Sequence, residues 1–335
     1  MNIWLRGRPF AGEERARSEM NVLCFTNIYP SPADPSAGCF VRDLVEDLRG
    51  LDVDVQVLAF SGRERRRAYA EAGLEFRRTV AAGDFDLVHA HYGLTGVLAV
   101  TQRSVPVVVT FHGSDTGSPR VRWQGWFSWF VARLGTPVFV SRDGALRLGC
   151  PNAAVIPAGV DVDLFQPQSR AEARAALGWP EEGCYVLLPG ARGNPDKGAA
   201  LFHATVDEVR KRVPDLTPIS LEGFSRQQVA KVMNAVDVTL VTSAFEGSPV
   251  AVKESLACGT PVVSVPVGDL PQLLSGLPGC AIVPRDPVAL GDAIVRAFAS
   301  GRDPMLRELA ERLSRRRVAE RTIALYESVL ARASV

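Results

Sequence analysis

The stretch Val238-Thr-Leu-Val-Thr-Ser-Ala-Phe-Glu246-Gly-Ser-Pro-Val-Ala-Val-Lys-Glu254-Ser-Leu-Ala-Cys-Gly-Thr-Pro261-Val-Val-Ser-Val265 reads as strand, capped helix and strand. Residues 238–241 and 261–265 are short runs rich in Val and Leu, as expected of strands buried on both faces. Between them Ser248 fits a helix N-cap and Pro249 the first helical position, so a helix starts just after Glu246. Its unpaired N–H groups form an end that attracts anions. From Ser248 to Glu254 is six residues at 1.5 Å each, about 9 Å. The plainer reading is two surface glutamates beside a well-capped helix.

The same rhythm extends outward in both directions. Apolar runs at 185–188, 217–221 and 281–283 complete a parallel α/β unit in the second half. Runs at 21–26, 53–60, 87–90, 105–110, 138–141 and 154–156 make another in the first. The pattern lapses between Val160 and Pro180, apart from a short Ala/Arg helix ending at Leu177-Gly178, and the linker is placed there. The expected division is 20–165 and 166–317, with a last helix over 318–335 packing back on the first domain and residues 1–19 set aside as a leader outside the core. Two such units in tandem, facing across a cleft, bind ligands at the carboxyl ends of their strands.

Composition narrows the function classes. The chain has 335 residues, 47% hydrophobic and 22% charged, which suits two globular domains and excludes fibrous or disordered readings. Lys plus Arg (38) nearly cancels Asp plus Glu (37), so the net charge of +1 gives no nucleic-acid footprint. Six cysteines without a C-x-x-C pair read as reduced thiols in a cytoplasmic protein. The two rings of His89-x-His91 are read as pointing to opposite strand faces, so no metal site is expected. No apolar run reaches the roughly 18 residues of a membrane-spanning helix.

Several loops carry candidate chemistry. Gly38 stands where the first strand's loop enters a helix, a position at which backbone can approach a phosphate. The alternative is an ordinary turn. His112, in Thr110-Phe-His-Gly-Ser-Asp115, ends a strand and can hydrogen-bond a ligand, while Asp115 is a general base by residue type only. Arg192 and Lys197, in Pro189-Gly-Ala-Arg-Gly-Asn-Pro-Asp-Lys-Gly198, flank a turn after a strand. The loop lacks the G-K-[ST] ending of a Walker A motif, so what it offers is a guanidinium fork and a point charge for a diphosphate, or a solvated basic loop.

Together these segments resemble the family 4 glycosyltransferases of GT-B fold, with two Rossmann-like parallel α/β domains. Glu246 and Glu254 have the family's E-x7-E spacing, and Arg192 and Lys197 its Arg and Lys five apart. Phe85-Asp-Leu-Val-His-Ala-His91, Phe111-His-Gly-Ser-Asp115 and Ile156-Pro-Ala-Gly-Val-Asp161 match further segments. Gly38-Cys-Phe-Val41 and Met233-Asn-Ala-Val-Asp237 look most like the teichuronic-acid-type branch. The resemblance implies a retaining transfer of a hexosyl group from a nucleoside-diphosphate sugar to an acceptor hydroxyl, lipid-linked or on a glycan, with no metal or other cofactor. Arg192 and Lys197 would neutralise the leaving diphosphate. Gly38 and the amides around Gly247, Ser248, Pro249 and Val250 would add neutral contacts to the donor. Glu246 would hold sugar hydroxyls, Glu254 the ribose, and His112 the sugar beside its anomeric carbon. The departing phosphate oxygen itself would take the acceptor's proton. Two other readings are a silent homologue acting as a partner subunit and a nucleotide-sugar epimerase. Between Arg212 and Ser225 the chain is shorter than in many relatives, which have an extra strand, glycine turn and helix there.

Trp123, Trp126, Phe127 and Phe130 recur at helical spacing beside three arginines, Arg120, Arg122 and Arg133. A stripe at i, i+3, i+4, i+7 is expected to face the core. The other reading is a peripheral contact with the inner face of a membrane.

Overall fold

A computed structural model describes residues 3–6, 20–32, 34, 37–61, 67–116, 122–190, 193 and 195–333. The chain forms two compact units, Met1–Gly159 with Arg315–Val335, and Val160–Ser314. The expected divisions, 165/166 and 317/318, lie a few residues after the observed ones.

The N-terminal unit holds β1 (Ile3–Arg6), β2 (Met20–Thr26), β3 (Val53–Phe60), β4 (Leu87–His91), β5 (Val107–Phe111), β6 (Thr136–Phe139) and β7 (Ala154–Val155). Their order is β1-β3-β2-β4-β5-β6-β7, parallel except for β1, which pairs antiparallel with β3. Four of the residues set aside as a leader thus extend the sheet edge. The helices are α1 (Cys39–Arg49), α2 (Arg67–Ala82), α3 (Gly93–Ala99), α4 (Arg122–Leu134) and α5 (Arg142–Arg147).

Successive residues of β2 divide between two cores, as the pleat requires. Val22 and Cys24 pack with Val41, Val45 and Leu48 of α1, whereas Leu23 and Phe25 pack with Ala72 and Phe76 of α2 and Val131 of α4. Both faces of the sheet are therefore covered, which is why its central strands read as largely apolar runs, while β3, next to the edge, alternates at its start and leaves Asp54 exposed.

The C-terminal unit contains α6 (Arg170–Leu177), β8 (Tyr185–Leu188), α7 (Ala199–Arg210), β9 (Thr217–Ser220), α8 (Arg226–Ala235), β10 (Val238–Val241), α9 (Val250–Ala257), β11 (Val262–Ser264), α10 (Leu270–Leu273), β12 (Ala281–Ile282), α11 (Pro287–Ser300) and α12 (Pro304–Arg312). The sheet order is β12-β11-β10-β8-β9, all parallel. Local chemistry sets the helix ends. Asp286 and Asp303 accept from the backbone amides of Ala289 and Met305, each with proline next in line. Ser225 and Gln228 form a reciprocal capping box at α8, five residues after the end of β9.

Asp237, inside one of the family-like segments, has a structural task. It accepts from the Tyr185 amide at 2.7 Å and pairs with buried Arg174 at 2.9 Å and with Arg170 at 2.7 Å, which locks α6 to the start of β8.

The chain then re-enters the N-terminal unit as α13 (Arg315–Ala333), whose Val318, Tyr326 and Val329 complete the core beneath α1. Arg315 grips Asp47 of α1 through two bonds of 2.8 and 2.9 Å.

Candidate active site

In each sheet the strand order reverses at one point, and loops after the strands on either side of that point diverge to leave a crevice. In the N-terminal unit the point lies between β2 and β4, and in the C-terminal unit between β8 and β10. The candidate residues fall on these loops or beside them.

In the C-terminal unit the loops after β8 and β10 are stitched together. Thr242 donates through Oγ1 to the Lys197 carbonyl at 2.8 Å, and the Ala244 amide donates to the Asp196 carbonyl at 2.9 Å. Arg285, which no motif in the sequence singles out, donates to the carbonyls of Ser243 and Thr242 at 2.7 and 3.0 Å. Gly198 begins α7 at φ +66°, and a Cβ there would stand 2.1 Å from the Thr242 carbonyl oxygen. The result is a fixed frame in which Lys197 Nζ meets Glu246 Oε1 at 2.7 Å, both side chains partly exposed. Arg192, the second cation of the sequence reading, lies outside the described residues.

The helix after Glu246 starts differently from expectation. Pro249 is the N-cap, α9 begins at Val250, and no side chain caps it. Ser248 is not the cap because its hydroxyl is bonded to the Asp269 carboxylate, while the Asp269 amide donates to the Gly247 carbonyl at 3.1 Å. Glu254 is buried and paired with Arg226 of α8, whose guanidinium lies 4.6 Å from the centroid of the Phe165 ring. Neither Arg226 nor Asp269 was legible, since each lies tens of residues from its partner. Lys253 is fully buried. Burial pushes its amine down to about 8 against the attraction of Asp269 and Glu254, and burial raises Asp269.

In the N-terminal unit Gly38 opens α1 at φ +66°, where a Cβ would meet the Ile28 carbonyl oxygen at 2.7 Å, and the first turn of α1 has no acidic residue. His112 follows β5 between the rings of Phe40 and Tyr92, at centroid distances of 4.8 and 4.7 Å. Tyr92, which no motif singles out, has φ +73° and ψ 145°, a strained backbone for a non-glycine residue. Asp115 is a brace rather than a free base. Its carboxylate accepts from the amides of Gly93, His112 and Gly113, each at 3.0 Å, while burial pushes it up to about 6.

His89 and His91 do not point apart. Residues two apart on a strand face the same way, and their ring centroids are 4.3 Å apart. His89 is saturated by Tyr326 Oη at 2.6 Å and Thr110 Oγ1 at 2.7 Å. His91 Nδ1 meets His112 Nε2 at 3.0 Å, and His91 Nε2 is buried without a partner. Desolvation pushes His89 and His112 down to about 3 and His91 well below its usual value, so all three are neutral at pH 7. Beside these rings a pocket is lined by Phe40, Leu44, Val140, Ile156, Arg315 and Leu325, among others. Among the described residues no group of three or more His, Cys, Asp or Glu is placed to hold a metal ion, and no helix is long and apolar enough to cross a membrane.

Two parallel α/β units of this kind are the parts of the GT-B fold, and comparison with known proteins supplies the family. The "Glycosyl transferases group 1" family matches residues 186–300, and the "Glycosyl transferase 4-like domain" matches 11–159. A D-inositol 3-phosphate glycosyltransferase of Saccharomonospora viridis is 30% identical over 95% of this chain and 87% of its own length. A putative teichuronic acid biosynthesis glycosyltransferase, TuaC of Bacillus subtilis, is 24% identical over 83% and 89%. HepE of Anabaena, solved with UDP and glucose, superposes with a TM-score of 0.70 at 18% identity, over 92% of this chain and 100% of that one. The chain therefore belongs to the family 4 glycosyltransferases and is a transferase of GT-B type.

Proposed function

We propose that this chain transfers a hexosyl group from a nucleoside-diphosphate sugar to an acceptor hydroxyl with retention of configuration and without a metal ion, in the assembly of a cell-surface glycan, glycolipid or glycosylated natural product. The observation that carries the reading is the Lys197–Glu246 pair, held at 2.7 Å where the sheet order of the C-terminal unit reverses. An ammonium fixed there is preorganised for a diphosphate, and Glu246 occupies it until one arrives. When the donor enters, Lys197 turns to the phosphates and Glu246 is released to accept from sugar hydroxyls.

As the bond from the anomeric carbon to phosphate oxygen breaks, negative charge grows on the diphosphate, and Lys197 with Arg192 stabilises it as a divalent cation does elsewhere. The acceptor oxygen bonds to the same face of the anomeric carbon, and its proton passes to the departing phosphate oxygen. Glu254, oriented by Arg226, receives the ribose hydroxyls, and His112 contacts the donor sugar. The UDP named with the Anabaena structure makes a uracil nucleotide the first donor to try.

Titration calorimetry with UDP, GDP, dTDP and ADP, with and without magnesium, tests the site. The expected result is selective binding that magnesium does not alter. With the sugar and acceptor found, Lys197→Ala should lower turnover about 10²- to 10³-fold, the usual loss of one preorganised group at a developing anion. Undiminished turnover by folded Lys197→Ala protein would overturn the assignment, and an inverted anomeric product would overturn retention.

A further inference from the structure

The aromatic helix α4 packs with the face opposite to the one its sequence suggests. Ser128, Val131 and Ala132 are buried, while Trp123, Trp126, Trp129, Phe130 and Leu134 are 44–67% exposed. The neighbouring helix explains the inversion. A Cβ on Gly93 would stand 2.0 Å from Ser128 Oγ, and one on Gly96 would stand 2.7 Å from Val131 Cγ1. The two helices approach so closely that only small or slender side chains fit between them, and the large rings are left outside by construction.

The exposed face is continuous with the end of α5. A shallow depression is lined by Thr116, Gly125, Trp126, Trp129, Arg147 and Leu148, and Leu146 beside it is 54% exposed. Arg133 lies 3.8 Å over the Trp129 ring and donates to the Trp129 carbonyl. From 122 to 147 the chain has four arginines, one aspartate (Asp143) and no glutamate or lysine. Contiguous exposed apolar surface of this kind marks an interaction site. Arg133 over Trp129, and Arg147 beside Trp126 and Trp129 and paired with Asp143 at 2.7 Å, fit a boundary where hydrocarbon meets anionic headgroups. A second copy of the chain fits poorly, because a two-fold contact would set these arginines against one another. At thirteen residues α4 is too short to span a bilayer and suits one lying in the headgroup plane.

We propose that α4 and the tip of α5 form a docking face that seats the N-terminal unit on an anionic lipid bilayer. The docking stands apart from the transfer reading. Taken with that reading, it makes the acceptor a hydroxyl carried by a membrane lipid.

The test uses the full chain with phosphatidylcholine vesicles, with and without phosphatidylglycerol. Trp123, Trp126 and Trp129 are three of its five tryptophans, so their emission reports the face directly. Sedimentation with the phosphatidylglycerol vesicles, a blue-shifted emission quenched by brominated lipid, and release by high salt are expected. The W123S/W126S/W129S variant should bind at least about tenfold more weakly while still unfolding in one cooperative transition, because none of the three rings belongs to the buried core. Should that variant fold poorly, Trp126→Ser alone, at the most exposed ring, should still weaken binding and remove part of the quenched emission. Failure to bind either vesicle would overturn the proposal. So would equal binding to both compositions, or a dimer that the triple variant abolishes without any vesicle binding. Nucleotide titration without vesicles reports on the donor site separately, so loss of one reading leaves the other standing.

Discussion

His91 settles the direction of a hydrogen bond between two neutral imidazoles, because only one of the two facing nitrogens can carry the hydrogen. If His112 donated, His91 would carry its own hydrogen on Nε2 as a buried N–H with no acceptor. Orphaned buried donors are rarer than under-satisfied acceptors. His91 Nδ1–H therefore donates to His112 Nε2, which leaves the hydrogen of His112 on Nδ1. In this account His91 is a positioning residue, and His112 presents a donor, held between Phe40 and Tyr92. Nitrogen-15 spectra should find both rings protonated at Nδ1. His91→Ala should let His112 leave that tautomer and lower kcat about 10- to 100-fold, the scale of a misplaced contact group. A His112 signal unchanged in His91→Ala would sink the assignment.

At the scale of elements, the loops after β8 and β10 act as one part, and Gly198 is where they touch. Alanine there would be strained at φ +66° and would collide with the Thr242 carbonyl 2.1 Å away. Gly198→Ala should cost about 1–3 kcal/mol, as left-handed strain with a backbone clash does. It should also part Lys197 from the β10 loop, so nucleotide binding weakens together with the melting temperature. Full nucleotide affinity in that variant would show that the loops are not coupled. These loops follow strands that were legible, because a strand buried on both faces, as β8 and β10 are, is rich in Val and Leu whatever its neighbours are. All eleven parallel strands overlap the segments read as strands, and α1 begins directly after Gly38, where the loop was expected to enter a helix. What the sequence hid depends on partners far along the chain. Ser248 has the chemistry of a cap, but Asp269 claims its hydroxyl. The stripe on α4 has the spacing of a core helix, but Gly93 and Gly96 of α3 select its small side. The strain at Tyr92 has no sequence signature at all.

Over the whole molecule the two units carry buried titratable groups of opposite acid response. The N-terminal unit buries His89, His91 and His112, each with a folded pKa below that of the unfolded chain. For such groups the unfolded chain binds more protons, so their neutral burial stabilises fully above about pH 6.5 and progressively less as pH falls below it. Asp115, raised to about 6, works the other way between roughly pH 4 and 6, but it is one group against three. In the C-terminal unit Lys253, lowered to about 8, makes its change between pH 8 and its usual 10.5 and adds nothing further below 8. Asp269, whose carboxyl is raised, favours the folded state as pH falls. Taking the chain from pH 7 to pH 5 should therefore loosen the N-terminal unit first. Hydrogen exchange should show β4, β5 and α13 losing protection while β10 and α9 keep theirs. Replacing His89 by Gln should reduce the acid sensitivity of those segments, because one of the three groups no longer takes up a proton on unfolding. Earlier loss of protection in β10 and α9 would mean that the neutral histidine cluster is not what sets the acid limit of this fold.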